Sequence, residues 1–288
     1  MELLQPSSLE EIPSNTVLLS GGTEVVPMLR DGLIEAETLV DVRSIVPRGI
    51  DQKGTRGQTE DSPRAGVVIG AGTTLGEIEV DPSVPEALRE ACRLAASPQL
   101  RNMGSIGGNL LQATRCWYWR LKFPCRLHGG DVCHARQGEH REHAIFGNDY
   151  CASAHPSDVA AALIALRATM RTDRRELAVE ELYRLPTEDD RDVTKLEPGE
   201  LMLELDVPQP DASTYLKAMD RRRWSFPLVG VAAARTGDER RLVLAAVAPI
   251  PWVLETPDAL ETATPLPGTA YKVEIAKALV RRALESVA

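Results

Sequence analysis

The chain has 288 residues, enough for two domains that each bury a core of their own. Its 33 basic against 42 acidic side chains leave a net charge of −9, which repels nucleic acid and anionic membrane surfaces and excludes a basic-groove function. No apolar run approaches the ~20 residues that cross a bilayer, and Met1-Glu2-Leu3-Leu4-Gln5 lacks a charged-then-apolar leader, so a cytoplasmic protein without membrane insertion is expected.

Thr16-Val17-Leu18-Leu19 reads as a short buried strand that runs into Ser20-Gly21-Gly22-Thr23 and then into a helical turn over Glu24 to Leu29. Strand, glycine turn and helix in that order point free N–H groups at an anion. A second strand is predicted at Thr38 to Val42, and the polar stretch Arg48 to Arg64, which has no apolar period, reads as an exposed loop or hairpin. Val67-Val68-Ile69 enters Gly70-Ala71-Gly72-Thr73-Thr74, a strand ending in a small-residue turn that adds a third wall to the same cleft. From Val84 to Ala96, the residues Leu88, Ala91, Cys92 and Ala95 recur at helical spacing, which makes Cys92 a small buried hydrophobe.

Arg101-Asn102-Met103-Gly104-Ser105-Ile106-Gly107-Gly108-Asn109-Leu110 is the most informative segment. Its glycines and small polar side chains are expected to free a run of backbone N–H groups for a phosphate or pyrophosphate. Either glycine turn alone is an ordinary turn; two in one domain suit a dinucleotide gripped from both sides. The Rossmann fingerprint Gly-x-Gly-x-x-Gly is absent, so a different fold must hold it.

Ser157-Asp158 opens an alanine- and leucine-rich run from Val159 to Met170, read as a helix with a capping residue and an acid in its first turn. Beyond the polar stretch Pro186 to Pro198, strand-like runs follow at Leu201 to Val207, Leu228 to Ala234 and Leu242 to Val247. Tyr271 to Val287 places Ala276, Leu279, Val280, Ala283, Leu284 and Val287 on one stripe of an amphipathic helix. The expected class is α+β. The expected domains are 1–172, with subdomains at about 1–55 and 65–172 and a cysteine-rich insert at 114–151, followed by 176–288.

Cys116, Cys125, Cys133 and Cys151 gather in that insert, and in a reducing compartment such a group points to metal or redox chemistry rather than disulfides. Thiolates are what an iron–sulfur cluster needs. Zinc competes, because His128, His134, His140, His143 and His155 also fall in or beside the insert, although no Cys-x-x-Cys pair is present. Unligated thiols are the third reading. Trp117-Tyr118-Trp119 reads as packing that shields the cysteines from water, and His155 as a residue that hydrogen-bonds a turn. No general base is evident, so no catalytic residue is assigned.

Several segments resemble one family: Ser20-Gly21-Gly22-Thr23-Glu24, Gly104-Ser105-Ile106-Gly107-Gly108-Asn109, His155-Pro156-Ser157-Asp158, Tyr215-Leu216-Lys217 through Arg221-Arg222-Arg223, and Val247-Ala248-Pro249-Ile250-Pro251. Over nearly its whole length the chain resembles the FAD-binding medium subunit of molybdenum hydroxylases, the xanthine dehydrogenase, carbon monoxide dehydrogenase and aldehyde oxidoreductase group. That resemblance implies a fold of the vanillyl-alcohol-oxidase (p-cresol methylhydroxylase) type, two α+β subdomains sandwiching FAD under a C-terminal α+β domain. It implies cofactor contacts from Ser20, Gly21, Gly22, Thr23, Glu24, Gly104, Ser105, Ile106, Gly108, Asn109, Asp158 and Lys217. The insert resembles that of the aldehyde oxidoreductase and 4-hydroxybenzoyl-CoA reductase branches, which implies a 4Fe-4S cluster on the four cysteines. The resemblance implies a molybdopterin-binding large subunit, a 2Fe-2S small subunit and an external electron acceptor as partners. The rival readings are a self-sufficient FAD oxidase and a zinc-stapled nucleotide-binding module.

Overall fold

The computed structural model describes residues 1–14, 16–53, 65–221 and 224–288. Three short strands, β1 (Glu2–Leu4), β2 (Val17–Leu19) and β3 (Thr38–Asp41), form a parallel sheet in the order β1-β3-β2. The pairing is parallel because helix α1 (Val25–Arg30) carries the chain back between β2 and β3. The middle strand β3 is accordingly buried from Leu39 through Asp41.

Next come β4 (Ile50–Gln52) and β5 (Gly66–Gly70), then helices α2 (Leu75–Val80), α3 (Glu86–Leu94), α4 (Pro98–Arg101), α5 (Ile106–Leu110), α6 (Trp117–Arg120) and α7 (Asp158–Ala165). Ile50–Gln52 lies in the stretch read as loop or hairpin and pairs antiparallel with β5; positions 54–64 of that stretch lie outside the described residues. Helix α7 is shorter than the predicted run to Met170. It stops where Arg167 takes a left-handed φ of 56°, and Met170 belongs to the strand that follows.

Strands β6 (Thr169–Thr172), β7 (Glu176–Ala178) and β8 (Met202–Pro208) complete an antiparallel sheet in the order β4-β5-β8-β6-β7. This corrects the sequence reading, which places 201–207 in the second domain. β8 is the central strand, with Val207 opposite Val67 and Leu205 opposite Met170. The division expected at 172/176 therefore does not follow the sheets: the chain leaves this one only at Pro208. An alternating apolar pattern states that a strand has a buried face, but not which sheet it joins.

The last sheet is antiparallel, β12-β11-β10-β9, from β9 (Ala212–Ala218), β10 (Val229–Thr236), β11 (Glu239–Ala245) and β12 (Trp252–Leu254). Helices α3 and α7 pack on one face, and α8 (Tyr271–Ser286) covers the other. Ala232, Ala234, Val243 and Ala245 point into the core shared with α3 and α7, while Val229, Val231, Leu242 and Leu244 point into a second core with Ala276, Leu279, Val280 and Ala283 of α8. A strand covered on both faces carries an unbroken apolar run, which is what Val229 to Ala234 shows. Among the described residues no helix is long and apolar enough to cross a membrane.

Candidate functional site

The turn after β2 leaves four consecutive amides unused. The N–H groups of Gly21, Gly22, Thr23 and Glu24 have no acceptor among the described residues, although the carbonyls of Gly22 and Glu24 already accept from Val26 and Met28 to start α1. Gly22 adopts a left-handed φ of +72°, which turns successive amides the same way and makes an anion-binding concavity. This turn abuts the second glycine segment so closely that a Cβ on Gly21 would sit 1.7 Å from the Met103 carbonyl oxygen. The two segments the sequence singled out thus form one site.

Their roles differ, and here the sequence reading is corrected. In the second segment the amides of Ile106, Gly107 and Asn109 donate to the carbonyls of Thr73, Ala71 and Ser105 at 2.8, 3.0 and 2.9 Å. The Gly104 amide donates to Leu100 O at 2.7 Å, and that of Gly108 to the capping Ser105 hydroxyl at 3.2 Å. Ser105 alone in 104–109 keeps an amide without an acceptor among the described residues. This segment supplies close approach rather than a run of donors: a Cβ on Gly108 would meet only Ser105 Oγ, at 3.1 Å.

Between the parallel sheet and the five-stranded sheet lies a cleft of about 460 Å³, within the roughly 300–1,000 Å³ of ligand pockets. Ser20, Gly21, Gly22, Thr23, Glu24, Gly104, Ser105, Gly108, Asn109, Asp158 and Lys217 all line it. Ile106 does not; it is fully buried in the core, and Gly107 takes its place in the wall. Wall residues the sequence reading missed include Gln112, Arg115, Glu200, Trp224 and Phe226. Gln112 sits three residues after Asn109 and bonds its carbonyl at 2.8 Å, a helical spacing that was readable; Glu200 carried no local signal.

At one end of the cleft Asp158 and Lys217 form a buried ion pair at 2.8 Å, with side chains 3% and 1% exposed. Lys217 also donates to Leu94 O at 2.9 Å, and the Tyr215 hydroxyl donates to Asp158. Burial pushes the Asp158 pKa up, and Lys217 beside it holds it back. Ser157 caps α7 through Ala160 N–H at 3.0 Å and donates to Asn109 Oδ1 at 2.6 Å, which fixes one glycine segment to the helix that carries Asp158. Burial alone would raise the Glu200 pKa, but hydrogen bonds from Arg175, the Glu197 amide and Thr172 bring it down to about 2. His155 is fully buried; its ring accepts from the Ser157 amide at 3.4 Å and meets Tyr183 edge-on, and burial lowers its pKa to about 3. Of the run Arg221 to Arg223, Arg222 and Arg223 lie outside the described residues.

The insert folds back on the cleft. Cys116, Cys125, Cys133 and Cys151 surround one small pocket, which Tyr118, Trp119, Arg126 and His134 help to close. Cys116 and Cys125 immediately precede α6 and the short turn Arg126–His128. Burial raises the Cys116 pKa and pushes that of Cys151 up to about 12, so both are neutral thiols until something displaces their protons. Cys116 Sγ lies 3.2 Å from His143 Nε2. Among the described residues no group of three or more His, Cys, Asp or Glu is gathered closely enough to hold a single metal ion. Cys92 is buried in the core, as its helical spacing predicts.

A cleft lined by four unpartnered amides, beside a four-cysteine insert, has the makings of a site for an anionic ligand such as a dinucleotide, held outside the Rossmann class. Residues 2–210 match the family described as the FAD binding domain in molybdopterin dehydrogenase, and the chain belongs to that family. It is 33% identical over 269 residues to the aldehyde oxidoreductase FAD-binding subunit PaoB of Escherichia coli, spanning 88% of this chain and 80% of that one. It is 35% identical over 106 residues to the carbon monoxide dehydrogenase medium chain of Hydrogenophaga pseudoflava, which spans 35% of this chain and 33% of that one. A solved structure of carbon monoxide dehydrogenase from that organism superposes with a TM-score of 0.68 at 25% identity, covering 99% of this chain and 96% of the other.

Proposed function

We propose that this chain is the FAD-binding electron-transfer subunit of a multi-subunit molybdenum hydroxylase. In this reading it works with a molybdopterin-binding large subunit and a 2Fe-2S small subunit in the cytoplasm, and electrons leave for an external acceptor. The observation that carries it is the set of unused amides at Gly21 to Glu24 facing a cleft where Gly21 leaves no room for a side chain and Gly108 presents bare backbone. FAD, when bound, supplies chemistry that takes electrons singly and releases them in pairs.

The chain's own residues do the placing. The amides of Gly21 to Glu24 and of Ser105 are free to donate to the phosphates, Gly108 admits them closely, and the buried Asp158–Lys217 pair fixes a polar end of the cleft. Leu75, Leu100, Met202 and Phe226 give the remainder an apolar lining. The fold belongs, in this reading, to the vanillyl-alcohol-oxidase type, with the β9–β12 unit as its third domain.

The four thiols around one closed pocket fit a 4Fe-4S cluster, which takes four cysteine ligands. Zinc has one observation in its favour, the His143 ring against Cys116. An absorption spectrum of the purified complex with iron, zinc and acid-labile sulfide analysis tests the reading. Flavin bands with a broad shoulder, four irons and four sulfides per chain beyond those of the small subunit support it. Flavin alone points to an oxidase, and zinc without flavin to the nucleotide-binding module.

A further inference from the structure

Glu24 is the last residue of the amide concavity, yet its side chain serves the insert. Its carboxylate accepts from the Ala113 amide at 3.1 Å and pairs with Arg115 at 2.7 Å and Arg120 at 2.6 Å. Those two arginines bracket a cysteine. Arg115 immediately precedes Cys116, and Arg120, one helical turn on, donates its amide to the Cys116 carbonyl at 2.9 Å. Arg120 also donates to the carbonyls of Thr114 and Ala113 at 2.8 and 3.2 Å. The three side chains are 16%, 30% and 19% exposed, so the pairings are largely shielded from solvent.

We infer that Glu24 is a positioning residue that couples the dinucleotide site to the thiol pocket, holding Cys116 in place from within the phosphate-binding turn. The inference rests on the reading of the four cysteines as cluster ligands. One carboxylate stands between two guanidinium groups and leaves the trio with a single net positive charge. Without its charge, two cations would face each other in a half-buried space, and α6 with Cys116 at its start would have to move apart from the turn. The other acid within electrostatic reach of Arg120, Asp31, is half-exposed and already paired with Arg30, while Arg115 reaches only Gln112 Oε1 at 2.9 Å and lies 5.1 Å above the Phe226 ring, and Arg120 lies 5.1 Å above Trp119. Order therefore passes between the two sites in both directions, because a phosphate on the Glu24 amide fixes the residue whose carboxylate fixes Cys116.

The test uses the assembled complex and three versions of this chain: wild type, Glu24→Gln, and the charge-balanced Glu24→Gln/Arg120→Gln. Flavin, iron and sulfide per chain are measured together with the rate at which a chelator strips iron. Glu24→Gln is expected to lose iron about tenfold faster, the size of effect seen when a residue supporting a metal ligand is removed. The double variant should recover a large part of that loss, which a merely structural defect would not. Wild-type iron retention in Glu24→Gln, or a double variant worse than the single, overturns the inference. A wild type without cluster iron overturns instead the ligand reading on which it rests, so the two failures are distinguishable.

Discussion

Replacing Gly21 by alanine tests whether the two glycine segments act as one site. The added Cβ would lie 1.7 Å from the Met103 carbonyl oxygen and 2.6 Å from its carbon, against the 3.4 Å at which ordinary contact begins. Both obstructing atoms are backbone, and the Gly104 amide beside them is held by Leu100 O at 2.7 Å, so no side chain can swing aside. The loops must separate. Overpacking of this kind costs about 1–3 kcal/mol, and here the upper end applies because neither wall yields. If the flavin-free chain relaxes by opening while the loaded chain cannot, the strain falls on binding and weakens FAD by about tenfold to a hundredfold, at 1.4 kcal/mol per factor of ten. Gly108→Ala is the comparison, since its Cβ meets only the Ser105 hydroxyl at 3.1 Å and presses on no backbone, so flavin lost there reflects the ligand's approach and not strain between the loops. The assay is flavin per chain after dialysis, with melting curves at several FAD concentrations. Full flavin occupancy and an unchanged melting curve in Gly21→Ala would show that the two glycine segments do not act as one site.

Gly108→Trp should fill the cleft from its open side and yield apoprotein that still folds, read by flavin content and circular dichroism. Cys125→Ser should remove iron and leave much of the FAD; unchanged iron would show that Cys125 is no ligand. Lys217→Met leaves the Asp158 carboxylate buried without its counter-charge, at a cost of about 3–5 kcal/mol near neutral pH. Its Asp158 pKa, already raised by burial, rises further. The folded state then holds that proton more tightly than the unfolded one, so the variant's deficit shrinks as pH falls toward the carboxylate range, which denaturant melts at several pH values would show. Glu200 behaves oppositely. With its folded pKa at about 2, below the usual 4.5, its contribution is present above about pH 4.5 and lost as pH falls toward 2; Glu200→Gln should flatten the acid limb of stability over that window.

The parts of the site that depend on local chain geometry were legible. Ser20 to Glu24 follows a short apolar strand and precedes a helix, and it forms the amide concavity that this order predicts. The cysteine cluster was equally legible, because four rare residues within one insert converge on one pocket. What depends on long-range pairing was not. The Ile106 and Gly107 amides looked free because nothing in their own sequence reveals that Thr73 and Ala71, over thirty positions away, supply the acceptors. Likewise, 201–207 reads as a strand but not as the centre of a sheet whose other members lie at 66–70 and 169–172. For Glu24 the resemblance implies a cofactor contact; only the fold brings Arg115 and Arg120 onto its carboxylate.

The most direct test of the central claim is amide hydrogen exchange on the flavin-free chain with and without added FAD. FAD should slow exchange at Gly21 to Glu24 and at Ser105, while the Gly107 and Gly108 amides, bonded within the chain in either case, should change little. Protection that appears elsewhere, or none at Gly21 to Glu24 when FAD is bound, would contradict the assignment of those amides to the dinucleotide.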